Sequence, residues 1–206
     1  VDLPTGKMKS REGTVVDADD LIAEVVEEAR ANTAERGTIA DLPAGEREAI
    51  IRQVGLAALK FFIIKVHPKK RMTFDPKESV DLQGQTGPYV QNAYVRIRSV
   101  LRKSDVKSLA AAADYRPLQP IEKEIVLQLF DYPEQLRLAA QEYDPSNIAN
   151  YCYQLAKNYH RFYHDHSILR AETEAAQAFR LLLSTVIART LEQGMDLLGI
   201  EMPARM

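Results

Sequence analysis

Cysteine is almost missing from this sequence, and tryptophan is missing altogether. The single cysteine, Cys152, excludes an internal disulfide and a zinc site built from several cysteines, and it favours a reducing compartment such as the cytoplasm. No apolar run approaches the roughly 18 residues that a transmembrane helix needs, and no signal peptide is visible. We therefore expect a cytoplasmic protein that makes no contact with a membrane.

An excess of charge of either sign is also missing. Lys and Arg number 27 and Asp and Glu number 29, which gives a formal charge of −2. Because no global positive field attracts nucleic acid, any such binding has to use local basic patches. Of the 206 residues, 46% are hydrophobic and 27% are charged, a balance that predicts a globular protein with a sizeable core.

Apolar residues recur at helical spacing along most of the chain, which predicts an all-α fold. Pro133 is expected to open a new helix, as is Pro145 after the candidate N-cap Asp144. Gly199 is expected to end the last helix. The predicted helices span residues 17–35, 44–66, 89–103, 120–130, 133–143, 147–165 and 171–198. The predicted loops span residues 1–16, 69–87, with extended pieces at 72–74, and 104–117.

The first motif with chemical potential is the segment Gly6–Gly13, which places Lys7, Lys9 and Arg11 between two glycines. Lys and Arg supply charge and hydrogen-bond donors while Gly supplies a hinge, so such a loop can close on a phosphate chain. Charge alone leaves a second interpretation open, in which the segment is a solvated basic loop.

The order of these residues resembles the KMSKS loop of class I aminoacyl-tRNA synthetases, and the continuation Thr14–Ile22 resembles the arginyl-tRNA synthetase version. The resemblance implies that the loop lies beside the phosphates of ATP, with its Mg²⁺, and stabilises formation of the adenylate. It makes Lys7 and Lys9 the catalytic candidates, although the sequence has Lys-Ser where Ser-Lys is usual. The remaining members of this ATP loop are Gly6, Met8, Ser10 and Arg11.

A second motif opens the helix that follows Gly84. Its pattern Gly-Pro-Tyr-x-Gln-x-Ala-x-x-Arg resembles the start of the anticodon-binding helical domain of arginyl-tRNA synthetases. The resemblance makes Tyr89, Asn92 and Arg96 candidates for tRNA contact. Arg96 follows Tyr89 by seven residues and further cations follow up to Lys103, so one face can combine phosphate contact with base stacking. An ordinary amphipathic helix with a solvated basic face remains the alternative.

A third motif is the aromatic-rich segment Tyr151–His166. Tyr163 falls outside the apolar stripe of this helix, and exposed aromatic rings stack on unpaired RNA bases. In arginyl-tRNA synthetases the matching segment lines the anticodon pocket, which implies that Tyr163 and Ser167 in the following loop lie beside the bases. His160 and His164 lack a third metal ligand, so we expect polar surface and no metal site there.

The last residues resemble the Leu-Gly-x-x-x-Pro-x-Arg-Met terminus of arginyl-tRNA synthetases, which implies that Met206 approaches the anticodon. A frayed tail is the alternative. Taken together, the resemblances cover the whole chain. They imply the end of a catalytic domain over residues 1–84 and a DALR-type anticodon-binding bundle over residues 85–206.

The expected function is therefore that of the C-terminal part of a monomeric arginyl-tRNA synthetase, which joins arginine to its tRNA with ATP. By itself the chain is expected to be inactive and to hold no cofactor, since it lacks the HIGH signature and the nucleotide-binding fold. A non-catalytic helical RNA-binding or interaction module, such as the anticodon-binding domain of a related class I synthetase, is the alternative.

Overall fold

A computed structural model describes residues 2–3, 6–7, 17–36, 39–104 and 117–206. Within these ranges helices dominate, which confirms the predicted all-α fold. The helices are α1 (Ala18–Arg36), α2 (Ala44–Ile64), α3 (Pro76–Ser79), α4 (Gly87–Arg102), α5 (Pro120–Glu142), α6 (Ser146–Asp165) and α7 (Glu174–Leu197). None of these helices is long and apolar enough to cross a membrane.

The sequence predicted a loop over residues 1–16, and the structure corrects this prediction at two places. Two short strands, β1 (Asp2–Leu3) and β2 (Gly6–Lys7), pair antiparallel. Asp2 also bridges the extended piece around Thr73, because its backbone N–H donates to the Met72 carbonyl at 2.7 Å and its carbonyl accepts from the Phe74 N–H at 2.8 Å. These backbone bonds confirm the extended piece predicted at residues 72–74.

The structure corrects the prediction of two helices over residues 120–143. α5 is continuous, with Pro133 inside it. A proline removes one backbone donor and disfavours a helix interior, but tertiary packing can outweigh that cost. Here Leu129 and Leu136 pack on the same core on either side of Pro133. The chain turns after α5 at Tyr143, whose φ of 52° is left-handed.

The helix ends that position the functional residues follow local capping rules. α4 begins at Gly87, where the Thr86 hydroxyl accepts from the Tyr89 N–H at 3.2 Å. After α7, Gly199 adopts a φ of 66° and donates to the Asp196 carbonyl at 2.8 Å, while Ile200 donates to Met195 at 2.9 Å. This left-handed glycine cap confirms the predicted end of the last helix and turns the terminal segment back over the protein.

The described residues form two hydrophobic clusters that share α2. One lies among α4, α5, α6 and α7, takes in Ala57 and Phe61 of α2, and contains Cys152, as a small core residue should. The other lies among α1, α2 and α3 and includes Met206 from the chain end. α2 and the last residues contribute to both clusters, and the α4 helix that carries the second motif packs on α2.

Candidate nucleic-acid interface

The packing of α4 on α6 brings together two of the predicted site residues. The guanidinium carbon of Arg96 lies 5.0 Å from the ring centroid of Tyr163. Tyr163 keeps 40% of its surface exposed, so one face of the pair remains open to a ligand. A cation on an aromatic ring gains electrostatic attraction, which favours this stacked arrangement.

A cleft of about 340 Å³ opens at this pair. Its lining combines two cations, Arg96 and Lys103, with an exposed aromatic ring and an apolar floor, a mixture that suits a flat ligand carrying hydrogen-bond acceptors. The residues that line it are Asn92, Val95, Arg96, Ser99, Val100, Lys103, Tyr163 and Leu169. Asn92, Arg96 and Tyr163 therefore lie in one place, as the sequence motifs had suggested.

Tyr89 does not line this cleft. Its ring packs against His160 at 4.9 Å between centroids, with 68° between the ring planes, and against Tyr153 at 5.2 Å. Burial raises the pKa of the Tyr89 hydroxyl. Tyr89 thus supports the cleft from within the bundle.

The expectation of polar surface fits His164, whose side chain is 88% exposed, whereas His160 is partly buried. The turn of α6 that carries His160 packs against α4, where His160 Nδ1 lies 3.3 Å from Arg96 Nη1. Burial, and after it the Arg96 charge, lower the pKa of His160 to about 4, while a hydrogen bond with the Tyr89 backbone opposes the shift. The imidazole is therefore neutral at pH 7. Since a guanidinium offers only donors, Nδ1 acts as the acceptor.

The loop after α6 is fastened by a buried ion pair that the sequence analysis missed. Arg180 on α7 is 2% exposed and donates to Glu122 of α5 at 2.9 Å and to Glu172 at 2.8 Å. It also donates to the Ser167 carbonyl at 2.8 Å, and Leu169 of the same loop lines the cleft. A charged residue inside the apolar run of α7 is the sequence signal that could have revealed this pair.

Ser167 itself faces solvent at the start of that loop. Its hydroxyl accepts from the Arg170 N–H at 3.1 Å, which closes a local turn. Ser167 does not line the cleft between Arg96 and Tyr163, although its carbonyl is fixed by Arg180. The structure therefore places it beside the cleft wall.

Met206 occupies a different place from Arg96 and Tyr163. It packs on the α1–α3 cluster and lines a small cavity with Asn32 and Thr33 of α1. Asn92 lines both cavities and is the link between them.

Backbone contacts hold the terminal segment that leads to Met206. Gln91 Nε2 donates to the Glu201 carbonyl at 2.8 Å and Arg102 Nη1 to the Ala204 carbonyl at 3.2 Å. The tail is packed over α4, so the structure does not support a frayed end.

The predicted ATP loop falls mostly outside the described residues. The backbone of Gly6 and Lys7 forms β2, while Met8, Lys9, Ser10 and Arg11 lie outside. The catalytic roles of Lys7 and Lys9 stay predictions. Among the residues that the structure describes, no group of three His, Cys, Asp or Glu side chains is arranged to hold a metal ion.

The family model for the DALR anticodon binding domain matches residues 90–206. The chain belongs to this family. The matched region, the DALR domain from here on, contains Arg96 and Tyr163 and most of α4. The predicted resemblance to a DALR-type anticodon-binding domain is thereby confirmed.

Similar proteins extend the likeness over the whole chain. This chain is 50% identical over 210 residues to the arginine–tRNA ligase of Parabacteroides distasonis. It is 48% identical over 209 residues to that of Porphyromonas gingivalis. All of this chain is covered, but only 35% of each relative, so it spans about a third of their length. The solved arginyl-tRNA synthetase of Thermus thermophilus matches with a TM-score of 0.84 and 32% identity, over 100% of this chain and 34% of that one.

Proposed function

We propose that the DALR domain binds the anticodon loop of a tRNA and that the Arg96–Tyr163 cleft takes one anticodon base. The observation that carries the proposal is the guanidinium stacked 5.0 Å from a ring that is still 40% exposed. Unpaired bases in RNA loops stack on aromatic rings and present acceptor edges to Arg. Asn92 and Lys103 in the same cleft offer further polar contacts to the base and its phosphate.

We further propose that the parent protein is a cytoplasmic, monomeric arginine–tRNA ligase that uses arginine, ATP with Mg²⁺ and arginine tRNA. The support is the consistent naming of relatives that match the whole chain, although the chain spans only 35% of their length. Residues 1–84 would end the catalytic domain and residues 85–206 would form the anticodon-binding bundle. The same comparisons favour an arginine–tRNA ligase over the alternative, which is the anticodon-binding domain of a related class I synthetase.

The proposed base contact predicts a loss of discrimination when either partner is truncated. In the full-length parent, Arg96→Ala should weaken recognition of arginine tRNA by about 1.5–3 kcal/mol, the range for a hydrogen bond to a charged group. Tyr163→Ala should remove stacking of about 1–3 kcal/mol. Aminoacylation kinetics with arginine tRNA and with a copy changed at the central anticodon base measure the difference.

Arg98→Ala is the matched control, because Arg98 lies two residues away on α4 and stacks on Tyr94, outside the cleft. It should weaken binding of both tRNAs equally, as expected when a cation that does not touch bases is removed. If the wild-type parent charges both tRNAs at the same rate, anticodon reading by this bundle is refuted.

The ATP loop carries a separate prediction. Replacing both Lys7 and Lys9 by Ala in the full-length parent should lower kcat for adenylate formation, on the order of 100-fold, and change KM for ATP less. The reason is that these charges would act on phosphate charge that develops in the transition state. ATP–pyrophosphate exchange measures it, and unchanged exchange in the double variant would remove the loop from catalysis.

A further inference from the structure

His160 touches the key cation of the cleft without itself lining the cleft. Its Nδ1 lies 3.3 Å from Arg96 Nη1, while the ring is held edge-on against Tyr89. We propose that His160 is a positioning residue, whose Nδ1 accepts from the Arg96 guanidinium and fixes it over the Tyr163 ring. This inference rests on the proposed anticodon-reading function of the cleft.

A neutral acceptor suits this role better than a carboxylate. Arg96 has a long, rotatable side chain, and ordering it in advance reduces the entropy lost when a base binds. A Glu or Asp at position 160 would also orient the Arg96 side chain, but its carboxylate would cancel much of the guanidinium charge. The imidazole is neutral, so Arg96 keeps its full charge for RNA. In the part of the chain that the structure describes, no acidic side chain forms an ion pair with Arg96.

The support behind His160 fixes the imidazole in turn. Tyr89 contacts both His160 and Tyr153, with centroid distances of 4.9 and 5.2 Å. Tyr89 and Arg96 lie two helical turns apart on the same face of α4, which places both opposite α6. The order of contact is thus Tyr153, Tyr89, His160, Arg96 and Tyr163, with only the last two lining the cleft.

The test uses the full-length parent with two substitutions of His160. His160→Asn keeps an acceptor at the δ position, and His160→Leu removes it. We expect His160→Leu to raise KM for arginine tRNA about tenfold with kcat changed less than about twofold, and to reduce discrimination at the central anticodon base. His160→Asn should keep the KM for arginine tRNA and the discrimination at the central anticodon base within about twofold of the wild-type values. His164→Leu is the matched control, since the His164 side chain is 88% exposed and pairs with Asp165.

A double-variant cycle with Arg96→Ala separates this inference from the proposed function. If His160 acts through Arg96, His160→Leu should add nothing in the Arg96→Ala background. If Arg96→Ala reduces discrimination and His160→Leu does not, the positioning role is refuted while the function stands. If Arg96→Ala has no effect, the proposed function itself fails.

A final pair of variants keeps the inference testable if His160→Leu does not fold, as judged by circular dichroism. His160→Gln keeps an amide but moves the acceptor one bond farther from the backbone than His160→Asn does. Impaired discrimination with Gln and retained discrimination with Asn would support the positioning role. Equal behaviour of the two variants would overturn it.

Discussion

Replacing Arg180 by leucine is expected to lower the free energy of unfolding by about 3–5 kcal/mol, the range for breaking a buried ion pair by removing one partner. Arg180 is 2% exposed and its first partner, Glu122, is 0% exposed. The substitution removes the Arg180 cation from beside the buried Glu122 carboxylate, and the loss of an opposite charge inside the bundle is costly. Urea unfolding of the chain followed by circular dichroism measures the loss.

The double variant Arg180→Leu with Glu122→Leu tests the cause. Replacing both members of a buried pair by apolar groups is often close to neutral, so much of the loss should be recovered. Recovery should be incomplete, because Glu122 Oε2 also accepts from the Gln119 N–H at 2.9 Å and caps α5.

The control for Arg180 is a surface ion pair. Arg137→Ala breaks the exposed pair with Glu134 and should cost less than about 1 kcal/mol. If Arg180→Leu costs no more than Arg137→Ala, the buried pair does not hold α7, α5 and the loop after α6 together.

Replacing Gly87 by alanine is expected to destabilise the chain by about 1–3 kcal/mol or more, because α2 and α4 touch at this point. A Cβ at Gly87 would lie 2.3 Å from the Ala57 carbonyl oxygen and 3.0 Å from Phe61 Cβ. The nearer atom, the Ala57 carbonyl oxygen, belongs to the backbone and cannot rotate away as a flexible side chain can. Relief requires α4 to move away from α2, so apolar contacts at the junction of the two clusters would be lost.

Gly45→Ala provides the matched control within α2, since nothing lies within 4 Å of the added Cβ there. Its free energy of unfolding should change by less than about 0.5 kcal/mol. Parallel urea melts of the two alanine variants make the comparison. Equal stability of the two would mean that the helices separate at no cost, contrary to the close contact at Gly87.

Local rules in the sequence were sufficient for most of the helices and several of their ends, but the prediction of a loop over residues 69–87 missed the short helix α3. Apolar spacing locates most helices to within a few residues, and a left-handed Gly199 ends the last one because only glycine adopts that backbone freely. The same rules failed at Pro133. The local preference of proline to open a helix was outweighed by packing of Leu129 and Leu136 on one core.

The sequence by itself determined the fold class and, through its motifs, the family and the Arg96–Tyr163 candidates. Only the tertiary structure revealed the contacts that hold them. His160 meets Arg96 across 64 residues of sequence, and Arg180 meets Glu122 across 58. Met206, which the motifs implied to approach the anticodon, packs on the α1–α3 cluster and not beside Arg96 and Tyr163. Helical periodicity and capping depend on near neighbours, whereas these contacts depend on how whole helices are placed, which local spacing does not encode.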